Sequence, residues 1–280
     1  MKKLNSILYA GLPKIDAAFY GEGGVGKTTL LGQFHSDDRT GPTLWVNAQG
    51  NPQILEVQGI PLYGFTLEHY KDVLEAIDFM ASGQSAKHPL RSKMEWPADL
   101  HFKSITVDTA SYLQQRLMDY IWELSGDSGL KQQGLVQIEA MKHGAKIVGT
   151  YLDLTRKLLA LPVHTFFAYQ YFEKVNFVSG AGGEVVGANV QAQVQLYGSS
   201  RVIVPTWHNV MGLLQREAGI DRLTKKPVTN TTVTWRGPDK TGKMQLTMGL
   251  PEKMVNPTAK EILDAIEKSW QPGRGVNAVG

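Results

Sequence analysis

The segment Gly-Glu-Gly-Gly-Val-Gly-Lys-Thr at residues 21–28 limits what this chain can fold into more than any other feature. It matches the pattern G-x-x-x-x-G-K-[ST] at every fixed position. Such a segment needs a strand before it and a helix after it. Residues 17–20 are a short apolar run suited to a buried strand, and residues 29–34 continue as a helix. The pattern therefore predicts a phosphate-binding loop at the positive end of a helix dipole.

The residue types of this segment predict how it binds a nucleoside triphosphate with Mg²⁺. Glycines let the backbone curl with its N–H groups pointing at the phosphates, Lys27 reaches the β and γ phosphates, and the Thr28 hydroxyl ligates the metal. No convincing N-K-x-D motif for guanine is present, and the neighbourhood of Asn176 does not supply one. We therefore expect ATP and Mg²⁺ as cofactors. The predicted cofactor-binding residues are Gly21, Glu22, Gly23, Gly24, Val25, Gly26, Lys27, Thr28 and Thr29.

Composition is that of a water-soluble globular protein. The 280 residues are 42% hydrophobic and 20% charged, with no apolar run close to the roughly 18 residues that span a bilayer. The basic start at residues 1–3 is followed by a stretch too short and too polar for a signal peptide. The chain has no cysteine, which suits a reducing compartment. We expect no membrane partner and a cytoplasmic location. The net charge of +3 permits a nucleic-acid partner without arguing for one.

Apolar periodicity predicts an alternation of strands and helices after the loop. Strands are expected at residues 43–47, 102–108, 163–168, 201–204 and 208–214, and helices at 66–80, 111–124 and 145–161, with Thr66 as an N-cap. Residues 82–97 and 126–134 are expected to be loops, and 171–200 a mobile loop or a hairpin. This alternation is typical of an α/β fold with a mainly parallel central sheet flanked by helices.

The C-terminal part departs from this alternation. Residues 231–235 are expected to pair with 244–247 as an antiparallel β-hairpin, and residues 256–258 to cap a last helix that extends to residue 270. We expect one domain over residues 1–270, with its core at about 15–215, its hairpin and last helix at 216–270, and a disordered tail at 271–280.

Asp108 is the candidate metal-binding carboxylate. It ends the predicted strand at residues 102–108, and this kind of site needs a carboxylate at the end of a neighbouring strand, where it holds Mg²⁺ together with Thr28. Asp108 also precedes a predicted helix, so a helix N-cap is the structural alternative.

The motif at 21–28, the strand ending in Asp108 and the strand ending in Ala168-Tyr169-Gln170 together resemble the RecA-like P-loop ATPases, particularly the compact phage-encoded proteins of the Sak4 type. The resemblance covers about residues 15–215. It implies that Gln170 senses the γ-phosphate and that residues 171–200 and 126–144 occupy the places of DNA-binding loops. It also implies an oligomer, in which a basic residue from a neighbouring subunit reaches the γ-phosphate. Arg201 and Lys174 are candidates for that residue only by position.

One departure from the family concerns hydrolysis. Such ATPases usually carry a glutamate after the second strand, whereas this chain has Asn47 and Gln49. An amide cannot accept a proton, although a glutamine can still orient water. Gln49 is therefore a candidate for supporting slow hydrolysis, or none, and Lys27, Gln49, Asp108 and Gln170 are the predicted catalytic residues. Glu22 and Glu139 are alternative carboxylates.

A local excess of basic residues is a candidate surface for single-stranded DNA. Lys225, Lys226 and Arg236 lie in it around Trp235, with further cations at 216, 222, 240 and 243. Cations track a phosphate backbone and an exposed aromatic ring stacks on a base. A solvated hairpin whose lysines prevent strand pairing between molecules is the alternative. The resemblance favours an ATPase acting on single-stranded DNA in phage recombination or replication. The alternative is a nucleotide-gated binding or assembly protein with little or no hydrolysis.

Overall fold

The computed structural model of the chain describes residues 12–49, 59–60, 62–97, 99–125, 136–179, 185–220, 226–235 and 250–269. The strands in these ranges are β1 (Asp16–Gly21), β2 (Thr43–Asn47), β3 (Tyr63–Thr66), β4 (Ser104–Asp108), β5 (His164–Ser179), β6 (Val185–Val194), β7 (Val210–Ile220), β8 (Pro227–Thr234) and β9 (Lys253–Val255). The helices are α1 (Lys27–Ser36), α2 (Tyr70–Ala81), α3 (Pro89–Lys93), α4 (Ala110–Ser125), α5 (Val136–Leu159), α6 (Ser200–Ile203), a 3₁₀ helix (Val204–Trp207) and α7 (Ala259–Ser269).

The strands form a mixed, mostly parallel sheet. Its order is β3-β2-β4-β5-β1-β7-β8-β9, and the strands from β3 to β7 in that order are parallel. Strands β8 and β9 add antiparallel to β7, and β6 pairs antiparallel with the outer half of β5. The protein is therefore an α/β protein whose parallel strands present their carboxyl ends at one edge of the sheet.

Two hydrophobic clusters cover the two faces of this sheet. On β1, Ala18 and Tyr20 pack in the cluster that includes residues of α2, α4 and α5, whereas Ala17 and Phe19 pack in the cluster of α1 and α7. This alternation is the period of two that places successive strand residues on opposite faces. Strand β1 is therefore buried from both sides, and the loop that follows it is held at the centre of the sheet edge.

Several predicted elements are confirmed. Strand β2 has the predicted bounds, β4 and α4 lie where the apolar pattern placed them, and residues 171–179 and 185–194 pair as the two antiparallel strands of a hairpin. The last helix begins as predicted, because Thr258 Oγ1 accepts from the Glu261 N–H group while Glu261 Oε2 accepts from the Thr258 N–H group. This reciprocal pair is a capping box.

Other predicted elements are wrong. Thr66 is the last residue of β3 and not a helix N-cap, because its strand pairs with β2, and α2 is capped by His69 instead. Residues 201–204 are helical although three of them are β-branched, and Val202 is exposed. Strand β5 does not end at Gln170, and the predicted loop at 82–97 contains α3.

The C-terminal hairpin differs from the prediction in its partners. Residues Thr232, Val233 and Thr234 of β8 lie between β7 and β9, so the antiparallel hairpin of this region is β7 with β8. The predicted partner strand at 244–247, the loop at 126–134 and the tail at 271–280 lie outside the described residues. No helix in the described ranges combines the length and the apolar character that a membrane crossing needs.

Candidate functional site

The segment 21–28 connects the carboxyl end of β1 to the first turn of α1. Gly24 and Gly26 have φ values of 75° and 103°, in the left-handed region that favours glycine. Gly21 is required for a different reason, since a β-carbon there would lie 2.4 Å from the carbonyl oxygen of Leu214 on β7. The side chain of Val25 is buried in the cluster under α1. The local sequence thus produces a tight loop that is anchored to the sheet.

Lys27 is buried and turned back onto the loop. Its Nζ atom donates hydrogen bonds to the carbonyl oxygens of Gly21 and Glu22, each at 2.7 Å. Burial lowers the pKa of Lys27 to about 8, and the charges of Asp108 and Glu22 oppose this shift. The ammonium group is thus a cation held at the mouth of the loop by two neutral carbonyl oxygens, which a charged acceptor can displace.

Asp108 lies beside Thr28, although 80 residues separate them in the chain. Thr28 Oγ1 donates a hydrogen bond to Asp108 Oδ2 at 2.8 Å. Asp108 is 5% exposed, and its Oδ1 atom has no hydrogen-bond partner among the residues that the structure describes. Burial raises the pKa of the Asp108 carboxyl, and the Thr28 hydroxyl and the Lys27 charge oppose this shift. Since one carboxylate oxygen accepts from Thr28 and the other has no partner among the described residues, Asp108 does not cap α4 with its side chain, and the N-cap alternative is not supported.

These two oxygen ligands fit Mg²⁺. In the described residues, no three carboxylate or imidazole side chains converge as a protein-only metal cage. Mg²⁺ usually keeps several waters and is held by one or two carboxylates together with substrate phosphates, so it needs no such cage. The buried Oδ1 atom without a partner is the observation that fits a cation next to Asp108 and Thr28.

The amides that replace the expected carboxylates are close to Asp108. Asn47 pairs with Asp108 across β2 and β4 and is buried. Its Oδ1 atom accepts from the Gln49 N–H group at 3.3 Å, and its Nδ2 atom donates to Thr66 Oγ1 at 3.4 Å. The Gln49 side chain is exposed to solvent. Asn47 therefore helps to shape the chain after β2, whereas Gln49 has room to contact a ligand.

Gln170 lies where β5 leaves the parallel sheet. It pairs with Gly21 on β1, and β5 lies between β1 and β4 in the sheet. The Gln170 N–H group donates to Ser111 Oγ at 3.0 Å, and its carbonyl accepts from the Gln195 N–H group at 2.7 Å. These bonds fix the Gln170 backbone on the strand between β1 and β4, and its side chain is half-buried.

Tyr171 is a site residue that the sequence analysis missed. Its hydroxyl donates to Glu22 Oε1 at 3.2 Å, across 149 residues of chain. Thr231 is a second such residue, because its Oγ1 atom is 4.0 Å from where a β-carbon on Gly26 would be. Neither residue belongs to a motif, and the only signal was that Tyr171 follows Gln170.

Trp235 is not an exposed stacking platform, which corrects the sequence expectation. It is 1% exposed and packs edge to face against Phe19 at a centroid distance of 6.1 Å. Lys226 and Arg216 are exposed, as is Arg201. Lys225 and Arg236, like the cations at 222, 240 and 243, lie outside the described residues, and the structure does not describe the side chains of Lys174 and Glu139.

Comparison of the sequence with protein-family models and with curated proteins finds no match. The fold and the site define the chain as an α/β protein with a mostly parallel sheet and a glycine-rich loop at its carboxyl edge. Any assignment of function therefore depends on the residues of the site themselves.

Proposed function

We propose that this chain is a RecA-like P-loop ATPase that binds ATP with Mg²⁺ and hydrolyses it while acting on single-stranded DNA. The observation that carries the nucleotide-binding part is the contact between Thr28 and Asp108 next to the buried Lys27 ammonium. A hydroxyl, a carboxylate and an ammonium at the carboxyl edge of a parallel sheet are the groups that a Mg²⁺-bound triphosphate needs.

The loop binds the phosphates through its backbone and Lys27. The N–H groups of the 21–28 segment and the first turn of α1 supply donors at the positive end of the helix dipole. The Lys27 ammonium exchanges the carbonyl oxygens of Gly21 and Glu22 for phosphate oxygens, which are stronger acceptors because they are charged. A pKa of about 8 keeps most of the Lys27 side chain protonated at neutral pH.

Thr28 and Asp108 are the residues that would hold Mg²⁺. When bound, Mg²⁺ would neutralise charge that develops on the phosphates during phosphoryl transfer. Asp108 Oδ1 has no competing partner among the described residues, and Thr28 Oγ1 can direct a lone pair at a cation while it donates its hydrogen to Asp108 Oδ2.

Two amides are available to orient an attacking water. Gln49 is exposed beside the strand that pairs with β4, and Gln170 sits between the loop and Asp108. A glutamine positions water without accepting its proton, so the turnover that we expect is slow. We propose that DNA is contacted by basic residues such as Lys226, within a homo-oligomer in phage recombination or replication, in the host cytoplasm. The burial of Trp235 leaves base stacking out of this proposal.

The second candidate is a nucleotide-gated binding or assembly protein without appreciable turnover. Asn47 favours this candidate, because its buried amide is hydrogen-bonded to Gln49 and Thr66 in the stretch where the resemblance implies carboxylates. Both candidates share the same nucleotide site and differ only in the fate of the γ-phosphate.

Calorimetric titration of ATP, with Mg²⁺ and with EDTA, tests the shared site. Lys27→Ala is expected to lose binding, because it removes the cation at the phosphates. Lys157→Ala is the matched control, since Lys157 is an exposed residue whose ion pair is with Asp153 on its own helix. Full ATP binding by Lys27→Ala would refute the phosphate-loop assignment.

Steady-state ATP hydrolysis with and without single-stranded DNA separates the two candidates. Turnover that DNA stimulates and that Lys27→Ala lacks supports the ATPase. ATP binding with no turnover above the Lys27→Ala background supports the nucleotide-gated protein instead.

A further inference from the structure

One contact joins the phosphate-binding segment to the β5–β6 hairpin. Tyr171 follows Gln170, the last β5 residue that pairs with β1, and it pairs with Val194 of β6. The Tyr171 hydroxyl donates to Glu22 Oε1 at 3.2 Å. Glu22 is exposed, and it is the second residue of the loop. The base of the hairpin therefore touches the loop through a variable position of the motif.

The surroundings of this contact are negatively charged. Glu173 lies two residues after Tyr171, so it projects from the same face of β5. Burial raises the pKa of Tyr171 to about 12, and the carboxylates of Glu22 and Glu173 add to the shift. The tyrosine therefore stays a protonated donor at neutral pH, flanked by carboxylates at the mouth of a loop suited to anions.

The cation of the loop is also occupied. Lys27 Nζ donates to two loop carbonyls, one of which belongs to Glu22. Both ends of Glu22 are thus engaged, its carbonyl by Lys27 and its carboxylate by Tyr171. In this arrangement the Lys27 ammonium and the Glu22 carboxylate are hydrogen-bonded within the protein, and a triphosphate has to displace the contacts of Lys27.

We propose that Glu22, held by Tyr171, forms an autoinhibitory contact that sets the affinity of the loop for the triphosphate. The inference rests on the proposed nucleotide site. A phosphate that enters the loop repels the Glu22 carboxylate, which turns away and leaves Tyr171. A contact that exists only in the nucleotide-free state opposes binding by its own free energy.

Affinity for Mg²⁺-bound ATP, measured by calorimetry, tests this inference. Tyr171→Phe removes the hydroxyl and keeps the ring, and it is expected to raise affinity about 3- to 10-fold, the scale of an exposed hydrogen bond to a charged group. Glu22→Gln is expected to raise affinity by a similar factor, because it removes the repulsion and turns a charge-assisted hydrogen bond into a weaker neutral one. The double variant should gain less than the product of the two single gains, since both weaken one contact.

Matched controls separate this effect from a general change in stability. Tyr63→Phe changes a tyrosine at the amino end of β3, on the opposite edge of the sheet, and Glu123→Gln removes an exposed charge on α4; neither should change affinity. Because the contact stabilises the nucleotide-free state, the melting temperature of nucleotide-free Tyr171→Phe should fall by about 1–5 °C, the equivalent of that affinity gain. Unchanged or lower affinity in Tyr171→Phe overturns the inference.

The Lys27→Ala variant distinguishes the two possible failures. If it loses ATP binding while Tyr171→Phe binds like the parent chain, the site stands and the autoinhibitory contact is refuted. If it binds ATP fully, the proposed function itself is refuted, and the inference falls with it.

Discussion

Replacing Asp108 by asparagine is expected to stabilise the nucleotide-free protein while it weakens Mg²⁺-dependent ATP binding. Asp108 is 5% exposed, and burial raises the pKa of its carboxyl even though Thr28 and Lys27 oppose the shift. The charged form is therefore held at a cost in the folded state. Asparagine has nearly the same shape, carries no charge, and keeps an oxygen that accepts from the Thr28 hydroxyl.

The size of the gain follows from the buried charge, because asparagine puts an amide N–H₂ group without a partner where Oδ1 was. An unsatisfied buried polar group costs about 1–3 kcal/mol, which remains in the variant, and a charged group costs more, which asparagine removes. Lys27 offsets part of that cost, so we expect the free energy of unfolding to rise by about 1–2 kcal/mol and the melting temperature by about 2–6 °C. Loss of a charged group beside a metal typically weakens metal affinity about 10- to 100-fold.

Two assays on one protein preparation check both signs. Thermal unfolding in EDTA compares the parent chain, Asp108→Asn and the control Asp153→Asn, whose carboxylate is exposed and 3.6 Å from Lys157. Calorimetric titration with ATP and Mg²⁺ follows. A lower melting temperature for Asp108→Asn would refute the account of its burial, and undiminished Mg²⁺-dependent affinity would refute its role as a metal ligand.

Three further predictions follow from packing and burial. Trp235→Ala should lower the free energy of unfolding in urea by about 3–5 kcal/mol. Unchanged stability with weaker single-stranded DNA binding would show instead that Trp235 is an exposed, DNA-contacting residue. Gly21→Ala should destabilise the fold by at least about 1–3 kcal/mol, because its β-carbon meets the Leu214 carbonyl, whereas Gly23→Ala has nothing within 4 Å and should melt like the parent. Burial lowers the pKa of His208 to about 3, so the unfolded chain takes up a proton below about pH 6.5 that the folded chain refuses. Stability is therefore full above that pH and falls toward pH 3, by about 2 kcal/mol at pH 5 for this residue. Urea titrations at pH 7 and pH 5 should show a smaller loss of unfolding free energy in His208→Asn than in the parent, and an equal loss would contradict the assignment. Burial also lowers the pKa of His164, to about 4, and this residue contributes equally to both proteins.

Local pattern was enough to predict most of the parallel core. Strands β2 and β4 are short, mainly apolar runs buried on both faces, so the local sequence predicted both bounds of β2 and the last residue of β4, although β4 begins two residues later than predicted. Thr66 could not be placed in this way, because it is a strand residue only through its pairing with Asn47. The apolar residues after Thr66 have helical spacing, so the predicted helix began at Thr66, whereas α2 begins at Tyr70.

Trp235 illustrates a different limit. A strand has two faces, and the basic residues around position 235 made the solvated face the natural assignment. Whether a given face of β8 is covered depends on what packs there, and Phe19 of β1 and the α1–α7 cluster cover Trp235. Since Phe19 and α1 lie about 200 positions earlier in the chain, no local pattern reveals that cover.

The sequence by itself determined the glycine-rich loop, because the motif at 21–28 carries its own backbone requirements and its own lysine and threonine. Only the tertiary structure decided what surrounds that loop. The order of the sheet inserts β5 between β1 and β4, which places Gln170 between the loop and Asp108 and brings Tyr171 to Glu22. Strand order follows from how helices and sheet bury their apolar faces together, a property of the whole chain that the periodicity of one segment does not contain.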